Sequence, residues 1–161
     1  MKTRINDKDY VVMLTHITKL SKRKDMNIQL VRKTLESVLR DYSYKRPCNY
    51  VSEEVVRIAK EKSVALKFDT HGKFRKTALA LGVELRWEHS NTINSLVQRL
   101  IDGESAEIVL SDNIVSVLTK TQDDKINEEG YRVKREDTFE NIYRSLEIKL
   151  IDYNDYLKTL E

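Results

Sequence analysis

The sequence predicts an α+β fold that is mostly helical, an N-terminal helical hairpin followed by a small mixed α/β unit with few short strands. Three observations predict it. The 161 residues contain 4 Gly and 1 Pro, too little turn punctuation for an all-β chain. Apolar residues recur at spacings of three and four through residues 7–39, the period of a helix with one buried stripe. The run Ile114 to Thr119 is β-branched and apolar, the strongest strand candidate in the chain. Hydrophobic residues at 40% and charged residues at 34% fit a globular chain of one domain or two small ones.

The first helix is expected from about Asp7 to Lys22, with Tyr10, Met13, Leu14, Ile17 and Leu20 on one stripe. Cations from Lys19 to Lys24 suit its negative C-terminal end. A second helix starts at the cap Asn27 and buries Ile28, Val31, Leu35, Val38 and Leu39. Tyr42 to Tyr50 contains the proline and the densest aromatics and reads as a linker. Residues 1–46 are thus expected to be a basic helical hairpin and 50–161 an α+β domain, with the boundary near Pro47.

Ser52 caps a helix through about Glu61, with Glu53 and Glu54 in its first turn. Val64–Phe68 is expected as a short strand, Lys73–Leu81 as a helix stopped by Gly82, and Leu85–His89 as a strand. A helix from Thr92 to Asp102 ends at Gly103, and Glu104–Leu110 is helical. After the strand at 114–119, Thr121 is expected to cap one or two turns through Asn127. The tail holds a helix at Phe139–Ser145, a strand at Ile148–Ile151 and a helix at Tyr153–Leu160.

Composition removes several classes of function. No apolar run approaches the ~20 residues of a membrane span, so no membrane partner is expected. The N-terminus lacks the apolar core of a signal peptide, which points to a cytoplasmic protein. A single cysteine, Cys48, permits neither a disulfide framework nor a thiolate zinc site, and no histidine near it in sequence suggests a nucleophile. The four isolated glycines form no phosphate-cradling loop. His16, in Thr15-His16-Ile17-Thr18, lies on a helical period and lacks the second such element of a two-histidine phosphoesterase.

Charge is unevenly distributed. Residues 1–50 carry 12 Lys/Arg against 5 Asp/Glu, whereas 101–161 carry 8 against 15. The basic part is expected to face an anion such as DNA or RNA, with Lys22, Arg23, Lys24, Arg32, Lys33, Lys45 and Arg46 as phosphate contacts. The bland reading is that basic and acidic parts neutralise each other within the fold. Interleaved Tyr and Lys/Arg at 42–50 also suit base stacking, and His71 with Lys73 could touch a phosphate.

Two constellations point to chemistry. Glu88-His89 ends a strand beside Trp87, where an imidazole can take a proton from water and a carboxylate can orient it or bind a cation. Asp123 and Asn127 stand four apart on a helix, so two oxygen donors can share one divalent ion. Together with the flanking elements, from Tyr50-Val51-Ser52-Glu53-Glu54 to Tyr143-Arg144 and Ile148, they resemble the ββα-metal arrangement of HNH-type (His-Me finger) nucleases of phages and mobile elements. The resemblance covers about residues 50–151 and lies in order and spacing. It implies a nucleic-acid-binding protein and a divalent-metal-dependent endonuclease, using Mg²⁺ or another such ion. In that scheme His89 and Glu88 are catalytic, with Asp123 and Asn127 on the metal. Ser90-Asn91-Thr92 stand where that pattern has apolar residues and proline, so a degenerate, silent relative is the neighbouring expectation. The alternative is a non-catalytic phage-type protein that binds and modulates a host protein or nucleoprotein complex.

Overall fold

The computed structural model describes residues 6–131 and 137–160, and it is mixed and mainly helical, as the sequence predicts. The described residues form two compact units. The first comprises residues up to Tyr42 together with Ile93–Asn113; the second comprises Ser43–Thr92 and the chain from Ile114 onward. The segment 93–113, assigned by sequence to the second domain, therefore clusters with the N-terminal helices.

The first unit holds α1 (Asp7–Leu20), most of α2 (Ile28–Tyr44), α5 (Ile93–Ile101) and α6 (Ala106–Ser111). Asn6 and Asp9 close a capping box at the start of α1, satisfying amide groups that lack helical partners. Tyr10, Leu14, Val31, Leu35 and Leu39 interlock with Leu96, Val97, Leu100 and Val109 in one core. Polar ties reinforce it. Tyr10 donates its hydroxyl hydrogen to Asp41 at 2.6 Å, and Arg99 grips both Glu104 and Asp112. The acidic 93–113 segment thus sits with the basic helices, and this unit carries 11 Lys/Arg against 9 Asp/Glu. The second unit carries 18 against 17, so the polarity along the chain is balanced within each unit.

The second unit is built on a four-stranded sheet in the order β2-β3-β1-β4. Its strands are β1 (Tyr50–Ser52), β2 (Leu85–His89), β3 (Val115–Thr119) and β4 (Leu150–Asp152). β1 runs parallel to β3, and the other two pairings are antiparallel. Three strands pass directly into helices: β1 into α3 (Glu53–Glu61), β3 into α7 (Lys120–Glu128) and β4 into α9 (Tyr153–Lys158). At each junction the last strand residue is the helix cap: Ser52, Thr119 or Asp152. The cap of α7 is therefore Thr119, two residues before the expected Thr121, because Gln122 completes a capping box with Thr119.

Strand alternation gives the sheet two buried faces. On one, Val51, Leu85, Val115 and Val117 pack with residues of α3, α4 (His71–Leu81) and α9. On the other, Leu118 and Tyr50 pack with Ile126 of α7 and with Phe139, Ile142 and Tyr143 of α8 (Phe139–Ser145). β1 begins at Tyr50, the last residue of the expected linker, and runs straight into α3. Asn49 fixes its start: its amide donates to the Val115 carbonyl, its side chain accepts from the Val115 amide, and its carbonyl accepts from the Tyr153 amide.

The expected strand at Val64–Phe68 is not formed. Leu66 and Phe68 are buried, but the backbone there bonds to Cys48 and to the Tyr153 hydroxyl instead of to a strand partner. Burial drives the Tyr153 phenol up to about 12, so it remains a donor and acceptor in this tie. No helix among the described residues is long and apolar enough to cross a membrane.

Candidate nucleic-acid interface

His89, Glu88, Asp123 and Asn127 do not gather into one site. His89 pairs in register with Val115, on the face shared with Leu85 and Trp87. There it is 8% exposed, and its Nε2 lies 2.9 Å from the buried Ser43 hydroxyl. Glu88 is its strand neighbour and so projects from the opposite face, in register with Ser116. α7 covers that opposite face, and Asp123 approaches Arg86 Nε at 3.5 Å there. Asn127 turns its amide to Asp123, donating to Oδ2 at 3.4 Å. The sheet thus stands between the imidazole expected to activate water and the oxygen donors expected to hold the ion. Among the described residues no three His, Cys, Asp or Glu side chains converge on a common point.

The expected phosphate contacts are also dispersed. Lys22, Arg23 and Lys24 lie exposed in the turn between α1 and α2, where Asp25 chelates the Arg23 guanidinium. Arg32 is held by the side-chain oxygens of Gln98 and Asn94, while Lys33 is exposed on α2. Lys45 and Arg46 belong to the second unit.

A different cluster forms in that second unit. Tyr44, the last residue of α2, stacks on His71 with ring centres 4.3 Å apart and planes 18° from parallel. His71 in turn stacks on Phe74 at 5.4 Å and meets the edge of Trp87 at 5.6 Å. The three rings Phe74, His71 and Tyr44 make a short column rooted in the core; Tyr44, 37% exposed, also meets the His89 ring obliquely, with centres 6.4 Å apart and planes tilted by 44°. Partial burial, helped by the charge of Arg75, holds the His71 imidazole below its usual value, which favours the neutral form. Thr70 caps α4 beneath it, which sets the His71 ring at the first turn.

The chain leading into and through α4 is rich in cations. Residues 57–76 contain seven Lys/Arg against Glu61 and Asp69. Arg57 is paired with Glu54 and Glu61, and Lys73 with Asp69. Lys60, Lys62, Lys67, Arg75 and Lys76 are exposed and have no acidic partner among the described residues. Arg75 lies four residues beyond His71 and so shares its helix face. Broad fifty-residue windows dilute this run; counting charge over one helix and its approach reveals it. The aromatic half of the pattern was visible in the Tyr and Lys/Arg interleaving at 42–50.

A cleft of the second unit, about 780 Å³, opens where the parallel strands β1 and β3 end. Ligands often bind there in open α/β sheets. Its lining mixes both signs: Glu53 faces Lys149 at 3.7 Å, Glu54 pairs with Arg57, Glu84 with Arg86 and Lys120 with Asp124, with Lys125 and Glu147 beside them. It therefore lacks the one-signed charge of the α4 surface. Comparison with protein-family models, with curated proteins and with solved structures yields no match.

Proposed function

We propose that this chain is a nucleic-acid-binding protein that acts by binding rather than by cutting. One observation carries the reading: an aromatic column that reaches exposed Tyr44 through His71 of α4, the helix whose exposed Arg75 and Lys76 have no acidic partner among the described residues. Phosphates supply the missing counter-charge, and bases supply faces for an aromatic end. Catalysis through His89 has no comparable support, because the ring is buried on one face of the sheet and the expected metal donors lie toward the other.

The test is a titration of a labelled oligonucleotide followed by fluorescence anisotropy at several salt concentrations. Affinity should fall steeply with salt, and Lys76→Ala should weaken binding and flatten the dependence by the equivalent of about one phosphate contact. The same oligonucleotide incubated with Mg²⁺ should stay intact. Cutting that EDTA stops and His89→Ala abolishes would replace this proposal with the nuclease mechanism. A second reading, a module that docks on a host protein, is favoured by Leu79, which is 84% exposed on α4 above an apolar groove with Ala78, Val83 and Leu85. A partner held there should resist salt, which nucleic acid should not.

A further inference from the structure

We infer that the nucleic acid bound is single-stranded, with one base stacked on the outer face of the Tyr44 ring and the following backbone running along α4. The inference rests on the proposed function and specifies its ligand. A paired base in a duplex already has neighbours on both faces, and only an unpaired one can lay its face on a protein ring. Tyr44 suits this role because its position is fixed before any ligand arrives. His71 backs it at 4.3 Å, Phe74 backs His71, and Phe74 is itself buried against Trp87 and Phe68. An aromatic held from behind loses little freedom when a base covers its front, so most of the stacking energy is retained on binding.

The path beyond the ring follows from helix geometry. His71, Arg75 and Leu79 recur every four residues and form one stripe on α4. From His71 to Leu79 the stripe spans about 12 Å at the rise of an α-helix. Arg75 lies within it, and Lys76 adjoins it, both exposed and without acidic partners among the described residues. Leu79 and the apolar groove lined by Ala78, Val83 and Leu85 lie at its far end, able to receive the flat, weakly polar face of a second base. Phosphates over Arg75 and Lys76 with bases at either end form a chemically consistent route for one strand. A rigid duplex cannot splay its bases to follow it.

The experiment compares a labelled twelve-nucleotide dT strand, the corresponding rU strand and a duplex of equal length on the full chain at fixed salt. At least one single strand should bind ten-fold or more tightly than the duplex. Tyr44→Ala should weaken single-strand binding roughly 5- to 100-fold, the range expected for loss of one stacked base. Tyr44→Phe should bind as the parent does, and duplex affinity should not change in any of these variants. Tyr44→Leu serves where Tyr44→Ala disturbs folding, since it keeps bulk without an aromatic face. Trp87, the sole tryptophan, touches the column and should report occupancy by a change in its emission. The inference is overturned if Tyr44→Ala and Tyr44→Leu bind single strands like the parent, or if the duplex binds equally well. In those cases a loss of affinity in Lys76→Ala would still uphold nucleic-acid binding, whereas absence of binding to every oligonucleotide would remove both.

Discussion

Replacing His89 by alanine separates a structural imidazole from a catalytic one. The ring is 8% exposed and its Nε2 shares a 2.9 Å hydrogen bond with Ser43, itself 2% exposed. Truncation removes that bond, worth about 1 kcal/mol net, and leaves the volume of a buried ring to be filled by relaxation. The sum is about 2–4 kcal/mol of lost stability. Ser43→Ala removes only the hydroxyl, at about 1–2 kcal/mol. Because the two groups touch, the double variant should cost less than the sum of the single ones, with a coupling of about 1 kcal/mol. Urea unfolding followed by circular dichroism measures all four proteins, and their unfolding slopes should agree, so that midpoints report stability. A His89→Ala unfolding free energy within about 0.5 kcal/mol of the parent's, together with abolished DNA cleavage, would refute the argument and return the imidazole to catalysis.

Further outcomes follow from other contacts. Gly82 ends α4 with φ +62, and a Cβ there would meet only Lys62 Nζ at 3.9 Å. Gly82→Ala should therefore cost about 1 kcal/mol through backbone strain alone, read as a thermal shift of about 2–4 °C. His71 is held below its ordinary value in the fold, so the unfolded chain takes up its proton first as pH falls. Its contribution is complete above about pH 6.5 and is lost below it, and His71→Phe should flatten urea midpoints measured from pH 5 to 8. Arg99→Met should cost about 1 kcal/mol by breaking its partly exposed links to Glu104 and Asp112, with the deficit shrinking in 1 M salt.

Most helices were legible in the sequence because their stripes and caps are local properties. Asn6, Ser52, Thr70, Ser105 and Thr138 each cap the helix that follows. The strand at Val115–Thr119 was legible from its β-branched and mostly apolar run, since it is buried on both faces. β1 was not, because three residues carry no period and its place depends on Asn49 meeting Val115, 66 residues away. The failure of the expected catalytic cluster was partly readable in advance. Neighbours in a strand point to opposite faces, so Glu88 and His89 could not address one ion from within β2. Which face α7 would cover depends on tertiary packing through Ile126 and Leu118, and no local pattern reveals it. The charge imbalance between chain ends likewise lost its meaning once 93–113 folded back onto the basic helices.

Where β1, β3 and β4 hand over to their helices, the same side chain both finishes a ladder and seeds a coil, leaving no slack between the two. Deleting one residue at such a joint would swing the attached helix by about 100° around its axis. Evolution can therefore lengthen this unit freely only at the far ends of those helices. Variation in chain length among any descendants of this architecture should accumulate there, with the joints themselves kept to a fixed count.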